Sequence, residues 1–336
     1  MSIRTPNLGV GGSTLCGGFS WLSGEFGCLS DPKNLLDAQV VKLDGSVIWT
    51  SEDPDLDWAI RGTEGAFAVA VAFKLRCFKY PQNVWSGPIL LPNTAPVRKQ
   101  ICDGILGMDG PNHEPKVALF LYRMNPEILK AIGDGKNGDM IVVHAFDARG
   151  TESGRKAFDW ALSVDGAIDR TQLLTRRELA MLQCKSEWFA YIGKTDMTHL
   201  AGIGAMKYTQ TCYWSPLALS KLTEDVIMNA FEWYNKTQNI ADGALGPLSS
   251  MLFELFCTRD SLSERRATGW PRPKGFRHMV LIQSGAYEAG DLDKLAKQTV
   301  IDGAEEILGK GAKLDVTANG LEDFHDPREV STIVLH

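Results

Sequence analysis

Residues 9–18 read Gly9-Val10-Gly11-Gly12-Ser13-Thr14-Leu15-Cys16-Gly17-Gly18, a glycine run with five glycines in ten positions. Glycine adopts positive φ angles and has no side chain, so such a backbone can turn sharply and approach a ligand closely. Its N–H groups can then point at a phosphate or at the edge of a flat ring. We therefore predict a ligand-binding loop here, and a purely structural turn is the alternative.

The glycine run matches neither of the two common phosphate-binding motifs. No Lys-Ser or Lys-Thr pair follows it, as a Walker A loop requires. Thr14 stands where the third glycine of a dinucleotide-binding G-x-G-x-x-G turn belongs. The ligand must therefore be inferred from the residues that follow.

Composition limits the class of protein. The 336 residues are 44% hydrophobic and 23% charged, with a formal net charge of −6, as is usual for a globular protein. An acidic chain without a Lys/Arg block does not favour nucleic acid or an anionic membrane surface as a partner. No apolar run reaches the ~18 residues of a membrane span, and residues 1–6 lack the apolar core of a signal peptide. A cytoplasmic location is the default expectation.

The seven cysteines are scattered and form no C-x-x-C pair. An odd, dispersed set favours free thiols over a disulfide framework or a zinc site, so no metal is expected. A serine hydrolase is not supported either, because the chain contains no G-x-S-x-G motif.

The hydrophobic pattern predicts two unequal α+β units. In the first, residues 38–43 and 46–50 flank Asp44-Gly45 and predict a hairpin with a type I′ turn. A short helix over 54–60 and a buried strand over 66–78 follow. In the second unit we predict strands at 84–91, 116–124, 140–146 and 277–283, helices at 151–162, 224–234 and 291–308, and loops at 193–204 and 259–275. The predicted boundaries are 1–83, 84–330 and a tail at 331–336.

Several blocks in this order resemble one known family. After the glycine run come Trp21-Leu22-Ser23-Gly24, the segment 34–41 that reads NLLDAQVV, and the segment 53–62 that reads DPDLDWAIRG. Together they resemble the vanillyl-alcohol-oxidase/berberine-bridge group of FAD-linked oxidoreductases. The second unit resembles the family's substrate domain more loosely, through 158–161, Tyr213-Trp214 and 319–327.

The resemblance implies both a fold and an activity. Residues 1–83 would form the second subdomain of a PCMH-type FAD-binding domain, and 84–330 a substrate domain with a largely antiparallel sheet and flanking helices. Such an enzyme transfers hydride from a small organic substrate to the flavin, and oxygen usually reoxidises it. The family pattern implies FAD contacts from Gly9, Val10, Gly11, Gly12, Ser13, Gly17 and Gly18, with Asn34 and Phe67 as second-tier choices.

The chain also departs from the family pattern. Family members carry a first FAD subdomain before the glycine run and a closing segment after the block at 319–327, and this chain shows neither. We therefore expect a truncated or degenerate member that binds FAD weakly by itself, with a partner chain over the cleft as one way to complete it. No histidine precedes His113, and Thr5 occupies the place of a flavin-linking cysteine, so bound FAD would be non-covalent.

Two other hypotheses remain open from the sequence. Ala66, Ala68 and Val71 replace residues that are usual in the family, which favours a non-flavin ligand-binding or scaffold descendant. An incomplete gene model whose full product has both ends is the other.

A catalytic base is expected from the roof sheet of the substrate domain. Tyr213, Glu254 and His278 lie beside predicted strands and could each accept a proton once burial shifts their pKa values. Each is also typical of a purely structural residue, so the sequence does not choose among them.

Overall fold

The computed structural model describes residues 10–63, 65–110, 113–123, 139–179, 211–255, 264, 267–270, 275–287 and 290–309, apart from the side chains of Val10 and Ser13. Gly9, the predicted loop at 193–204, most of the predicted loop at 259–275, the block at 319–327 and the tail at 331–336 lie outside these residues.

A small unit forms from the first described residues. Its three-stranded antiparallel sheet has the order β2-β1-β3. The elements are helices α1 (Val10–Leu15), α2 (Ser23–Phe26) and α3 (Pro54–Ala59), the 3-10 turn Thr50–Glu52, and strands β1 (Leu35–Val41), β2 (Val47–Trp49) and β3 (Val69–Leu75). Asp53 caps α3 by accepting a hydrogen bond from the Leu56 N–H, and Pro54 opens its first turn. The predicted short helix is therefore confirmed.

The glycine run is not a continuous loop. Residues Val10–Leu15 form helix α1, and the sharp turn comes only afterwards, where Gly17 and Gly18 have φ angles of +112° and +72°. Glycine-rich sequence disfavours a helix, but Leu15 is buried against Val40 and Ile60. This tertiary packing stabilises the single turn that propensity alone would not.

The predicted hairpin is confirmed, but its turn is of another type. Gly45 has a φ of +82°, whereas Asp44 is not among the residues with positive φ, so the turn is not type I′. The Gly45 N–H donates to the Lys42 carbonyl, and the Lys42 N–H donates to the Ser46 carbonyl. The Asp44 carboxylate accepts from both the N–H and the hydroxyl of Ser46. Asp44 thus closes a three-residue connection with glycine in the left-handed position.

Strand β3 is only half covered, although the sequence predicts a buried strand. Ala70 and Phe73 pack toward the core of the small unit, while Val69 and Val71 are 66% and 56% exposed. Among the described residues, core side chains pack against one side of the small sheet, so alternate side chains of β3 face outward. The partner chain that the sequence analysis expects over the open FAD cleft stays a prediction.

The second unit is built on one large antiparallel sheet, ordered β7-β4-β6-β5-β10-β11-β9, with β8 also paired to β4. The four predicted strands are confirmed, whereas β7 to β10 were not predicted as strands. The bounds are β4 (Asn83–Pro92), β5 (Val117–Arg123), β6 (Met140–Asp147), β7 (Ile168–Asp169), β8 (Gln172–Thr175), β9 (Thr211–Leu219), β10 (Ser250–Leu255) and β11 (His278–Ala286).

Helices flank this sheet, as expected for an α+β fold. They are α4 (Ala95–Met108), α5 (Thr151–Ala157), α6 (Asp159–Leu162), α7 (Glu224–Thr237) and α8 (Asp291–Leu308), with 3-10 turns at Ile240–Gly243 and Gly246–Leu248. Thr223 caps α7, because its side chain accepts a hydrogen bond from the Val226 N–H. Of the described helices, none combines the length and apolar character needed to cross a membrane.

Two helices differ from the sequence prediction. The predicted helix at 151–162 breaks at Phe158, whose ring lies 5.7 Å from that of Trp85 in the core. Helix α4 was not predicted, because Pro96, Gly104 and Gly107 weaken its helical signal. Pro96 is tolerated in the first turn, and a side chain on Gly104 would overlap the indole of Trp160.

The two faces of the large sheet have different neighbours. The helix face carries residues such as Val143, Phe253 and Val280, which share one buried cluster with Phe231 of α7. The second face carries Phe120 and Met279, which pack with residues outside those helices. Successive residues of a strand alternate between these faces.

Aromatic side chains join the small unit to the second face. The Trp21 ring lies 4.4 Å from that of Phe120, edge to face. Trp270 packs against Phe19 and shares a cluster with Met279. Gly62, with a φ of +111°, leaves no side chain where the backbone and Cβ of Trp270 pass. The small unit is therefore held against the sheet by close packing.

We expect Gly62→Ala to destabilise the protein by about 3 kcal/mol or more, because the new methyl group would overlap Trp270 and strain the backbone. Gly45→Ala is the matched control: its φ is also positive, but nothing lies within 4 Å of the added atom. Gly45→Ala should lower the free energy of unfolding by only about 1 kcal/mol, the cost of placing a non-glycine residue at a positive φ. Urea denaturation measures both, and equal losses would contradict the packing role of Gly62.

Candidate active site

Glu254 occupies the middle of the second face. It lies on β10, directly opposite Phe120 of β5 and Met279 of β11. Two residues earlier on the same face, Leu252 lies opposite Tyr122 and Leu281. The carboxyl group is thus placed on rigid strands and bordered by apolar neighbours on both sides.

Burial changes the acidity of this carboxyl group. Removal from water raises the pKa of Glu254 to about 7, because the charged form loses hydration. Within the described part of the chain, no hydrogen bond or ion pair to its carboxylate offsets that loss. A carboxyl group with a pKa near neutrality is suited to accept and release protons.

Tyr122 is coupled to this acid. Burial raises the pKa of its phenol well above the usual value, and the charge of Glu254 raises it further. The phenol therefore stays protonated throughout the neutral range and can act as a hydrogen-bond donor.

The surroundings of Glu254 are covered unevenly. Phe120 and Met279 are buried beneath the aromatic clusters of Trp21 and Trp270. Leu252 and Leu281 in the next row are only half-buried. Further along the same face, Trp214 is 40% exposed. The second face thus becomes more accessible from Glu254 toward Trp214.

Tyr213 lies on the opposite, helix face. Its hydroxyl donates to the Asp293 carboxylate of α8 at 3.1 Å, and the Lys297 ammonium lies 6.0 Å from its ring. These contacts attach α8 to β9, which is a structural task. The structure therefore separates Tyr213 from Glu254 by the thickness of the sheet.

His278 also points to the helix face, at the start of β11. Its Nε2 lies 2.8 Å from Oδ1 of Asp109, and Nη2 of Arg277 lies 2.8 Å from the same oxygen. Burial alone would raise the pKa of Asp109, but the hydrogen bond from His278 and the charges of His278 and Arg277 lower it overall. This buried cluster anchors the end of α4.

The predicted cofactor residues fall into two groups. Gly11 and Gly12 are exposed on α1, and nothing lies within 4 Å of the position where a side chain would begin. Gly17 and Gly18 accept backbone hydrogen bonds from Ser30 and Leu29. The first pair can be approached by a ligand, whereas the second pair closes a turn. Val10 and Ser13 belong to α1, and Gly9 lies outside the described residues.

The second-tier residues differ as well. The Asn34 amide is buried and donates to the carbonyls of Phe26 and Cys28, so it ties a loop together. Phe67 is exposed before β3. Among the described residues, no cluster of three metal-ligating side chains occurs.

Tyr122 and Leu252 were not among the residues proposed from the sequence. The alternation of Phe120 and Tyr122 within one strand is the signal that could have placed Tyr122 beside the site. Strand β10 gave no clear signal, because Glu254 interrupts a short apolar run whose partner strands are distant in sequence.

No protein-family model matches the sequence. Among curated proteins, the xylooligosaccharide oxidase of Thermothelomyces thermophilus is 41% identical over 91 residues, 26% of this chain and 18% of that protein. An FAD-linked oxidoreductase of Aspergillus terreus is 40% identical over 79 residues, 23% of this chain and 16% of that protein. These alignments cover less than a fifth of each relative.

Solved structures share the fold over nearly the whole chain. The xylooligosaccharide oxidase of Myceliophthora thermophila, in complex with xylobiose, superposes with a TM-score of 0.70 at 20% identity, covering 98% of this chain and 66% of that one. A berberine bridge enzyme variant, described as a reticuline dehydrogenase, gives 0.66 at 17% identity, covering 96% and 60%. The chain thus spans about two thirds of these proteins.

The raised pKa of Glu254 predicts a measurable effect on stability. Protonation is favoured in the folded state, so this residue lowers stability as the pH rises from the ordinary carboxyl pKa through about 7. Glu254→Gln removes the penalty. The free energy of unfolding of Glu254→Gln, relative to that of the natural protein, should therefore rise by about 1–3 kcal/mol when the pH is raised from about 5 to about 8.5.

Urea denaturation at both pH values measures this gain. Glu232→Gln is the control, because Glu232 is exposed on α7 and should give the same difference at both values. A pH-independent effect of Glu254→Gln would show that the carboxyl group is not desolvated.

Proposed function

We propose that the chain belongs to the vanillyl-alcohol-oxidase/berberine-bridge family of FAD-linked oxidoreductases, whose members it resembles in sequence and in fold, and that it binds FAD and oxidises a small organic substrate, with oxygen as the final acceptor. One observation carries the proposal of a catalytic site on this chain. Glu254 lies on the face of the sheet away from the helices, with a pKa raised to about 7 and no hydrogen-bonding partner among the described residues.

The fold supports this choice of base over the other two. Tyr213 and His278 are engaged with Asp293 and Asp109 on the helix face. A group held in a structural hydrogen bond must give up that bond to accept a proton from a substrate. Glu254 has no such bond to lose among the described residues, and its neighbours leave it partly accessible.

The proposed chemistry removes a hydride from a carbon that bears a hydroxyl or an amine, and a proton from that hydroxyl or amine. FAD, when bound, supplies a hydride acceptor. Ionised Glu254 takes the proton from the hydroxyl or amine, and Tyr122 stays neutral and can donate a hydrogen bond beside it. Apolar Phe120 and Met279 flank Glu254 and limit the hydration of its carboxylate, which keeps its pKa near neutrality.

For the cofactor we propose contact with Gly11 and Gly12. The bare Cα atoms of these residues are exposed, and nothing lies within 4 Å of the place that a β-carbon would take, so they suit the close approach of a flat ring or a pyrophosphate. Trp21, a few residues later in the chain, packs on Phe120, the direct neighbour of Glu254. The segment after α1 therefore contacts a side chain that lies directly beside the proposed base, Glu254. We propose that FAD is held non-covalently.

Titration of FAD with the full chain tests cofactor binding. We expect weak, saturable quenching of flavin fluorescence. Gly11→Glu should weaken binding about tenfold or more, because it adds bulk and negative charge beside an anionic cofactor. Gly107→Glu is the matched control, since Gly107 is also an exposed helical glycine with nothing within 4 Å.

Two results would contradict this proposal. Absence of saturable quenching would reject FAD binding by this chain. An equal effect of the two glycine variants would reject the contact at Gly11.

Acid precipitation of the FAD-loaded protein tests whether the flavin is covalently linked to the chain. We expect all flavin in the supernatant, and flavin that stays with the precipitate would contradict non-covalent binding.

For the base, Glu254→Gln should lower kcat by about 10²- to 10⁴-fold while FAD affinity stays unchanged. Peroxide formation, measured with a panel of benzylic alcohols, cyclic amines and oligosaccharides, gives the rate. Turnover of the natural protein should fall as the pH drops below about 7, because the base must be ionised.

Glu232→Gln should leave both the rate and its pH dependence unchanged. A Glu254→Gln variant with nearly full activity, or a profile without the acidic limb, would reject Glu254 as the base. That outcome would leave FAD binding itself unaffected.

A further inference from the structure

Beside Glu254 the second face carries an apolar wall, which we define as Tyr122, Leu252, Leu281 and Trp214. Leu252 lies opposite both Tyr122 and Leu281 in the strand register. Trp214 extends the same face on β9, two residues before Pro216, which lies opposite Leu281. These four side chains are half-buried or exposed, so they can contact a small molecule that reaches Glu254.

The polar side chains next to the wall are already engaged. The Ser250 hydroxyl donates to Oε1 of Gln283 at 3.3 Å, and Nε2 of Gln283 donates to the Leu248 carbonyl at 3.0 Å. Both ends of the Gln283 amide are therefore used within the protein. Of the described polar side chains beside the wall, Gln283 lies opposite Trp214 and is bonded to Ser250 and Leu248, whereas Glu254 has no hydrogen bond to another described residue.

This distribution of groups discriminates between classes of substrate. Each hydroxyl of a sugar loses its bonds to water on burial and needs a partner in the site. Aromatic side chains can stack on sugar rings, but two leucines offer no hydrogen bond to the hydroxyls around such a ring. A flat apolar ring has no such requirement and gains from leaving water.

We infer that the substrate is a compound with a flat, mainly apolar ring that lies on the wall and turns one hydroxyl or amine toward Glu254. The inference rests on the function proposed above and names its substrate class. The competing class is the oligosaccharide, since one solved structure of similar fold holds xylobiose.

Calorimetric titration of the full chain, in the presence of FAD, tests the substrate class. The probes are 2-naphthalenemethanol, which has one hydroxyl on a flat ring system, and xylotriose. We expect the naphthalene compound to bind at least about tenfold more tightly, because the wall offers area rather than hydrogen bonds.

Variants of the wall test its location. Leu281→Gln should weaken binding of 2-naphthalenemethanol about tenfold, as expected when a polar group replaces an apolar contact. Leu173→Gln is the matched control, because Leu173 is an exposed leucine on β8, at the other end of the same sheet. Trp214→Gln is a second wall variant at a more exposed position, and it should also weaken binding while keeping the melting temperature.

Three outcomes would overturn the inference. Xylotriose could bind as tightly as the naphthalene compound, or neither probe could bind. In the third outcome, both wall variants behave like Leu173→Gln. The FAD titration is scored separately, so naphthalene binding that depends on the wall would support the inference even if FAD failed to bind.

Discussion

The packing of Trp270 against Gly62 and Gly17 is the contact on which the rest of the arrangement depends. A side chain at Gly62 would collide with the Trp270 backbone. At Gly17, an added β-carbon would lie 3.4 Å from the indole ring of Trp270. Because Trp270 shares a cluster with Met279, this contact brings the small unit over the row that holds Glu254. Close packing, together with a hydrogen bond from the Gly269 N–H to the Trp58 carbonyl, thus places the aromatic cover beside the acid.

The alternation of side chains in the large sheet places paired polar groups on one face and the proposed base on the other. On the helix face, His278 and Arg277 share the Asp109 carboxylate, and Tyr213 donates to Asp293. These buried partners satisfy one another and hold helices in place. On the second face, Glu254 has no such partner among the described residues. Burial then raises its pKa toward neutrality, which is costly for folding and useful for proton transfer.

Much of the local structure could be predicted from the sequence, because its causes are local. The hairpin around Asp44-Gly45, the short helix that begins at Pro54, the Thr223 cap and the four apolar strands each depend on residues close in the chain, although the predicted turn type was wrong. Helix α1 and strand β10 could not be predicted in this way. Leu15 needs Val40 and Ile60 to stabilise its turn, and β10 needs two strands that are far away in sequence.

The sequence by itself pointed to a family, since the ordered blocks after the glycine run resemble FAD-linked oxidoreductases and one of the similar relatives carries that description. It also supplied Tyr213, Glu254 and His278 as equal candidates for the base. Only the tertiary structure distinguished them, because the face on which a strand residue lies depends on strand register and on what covers each face. For the same reason, the apolar wall around Glu254 becomes visible only when four strands are brought side by side.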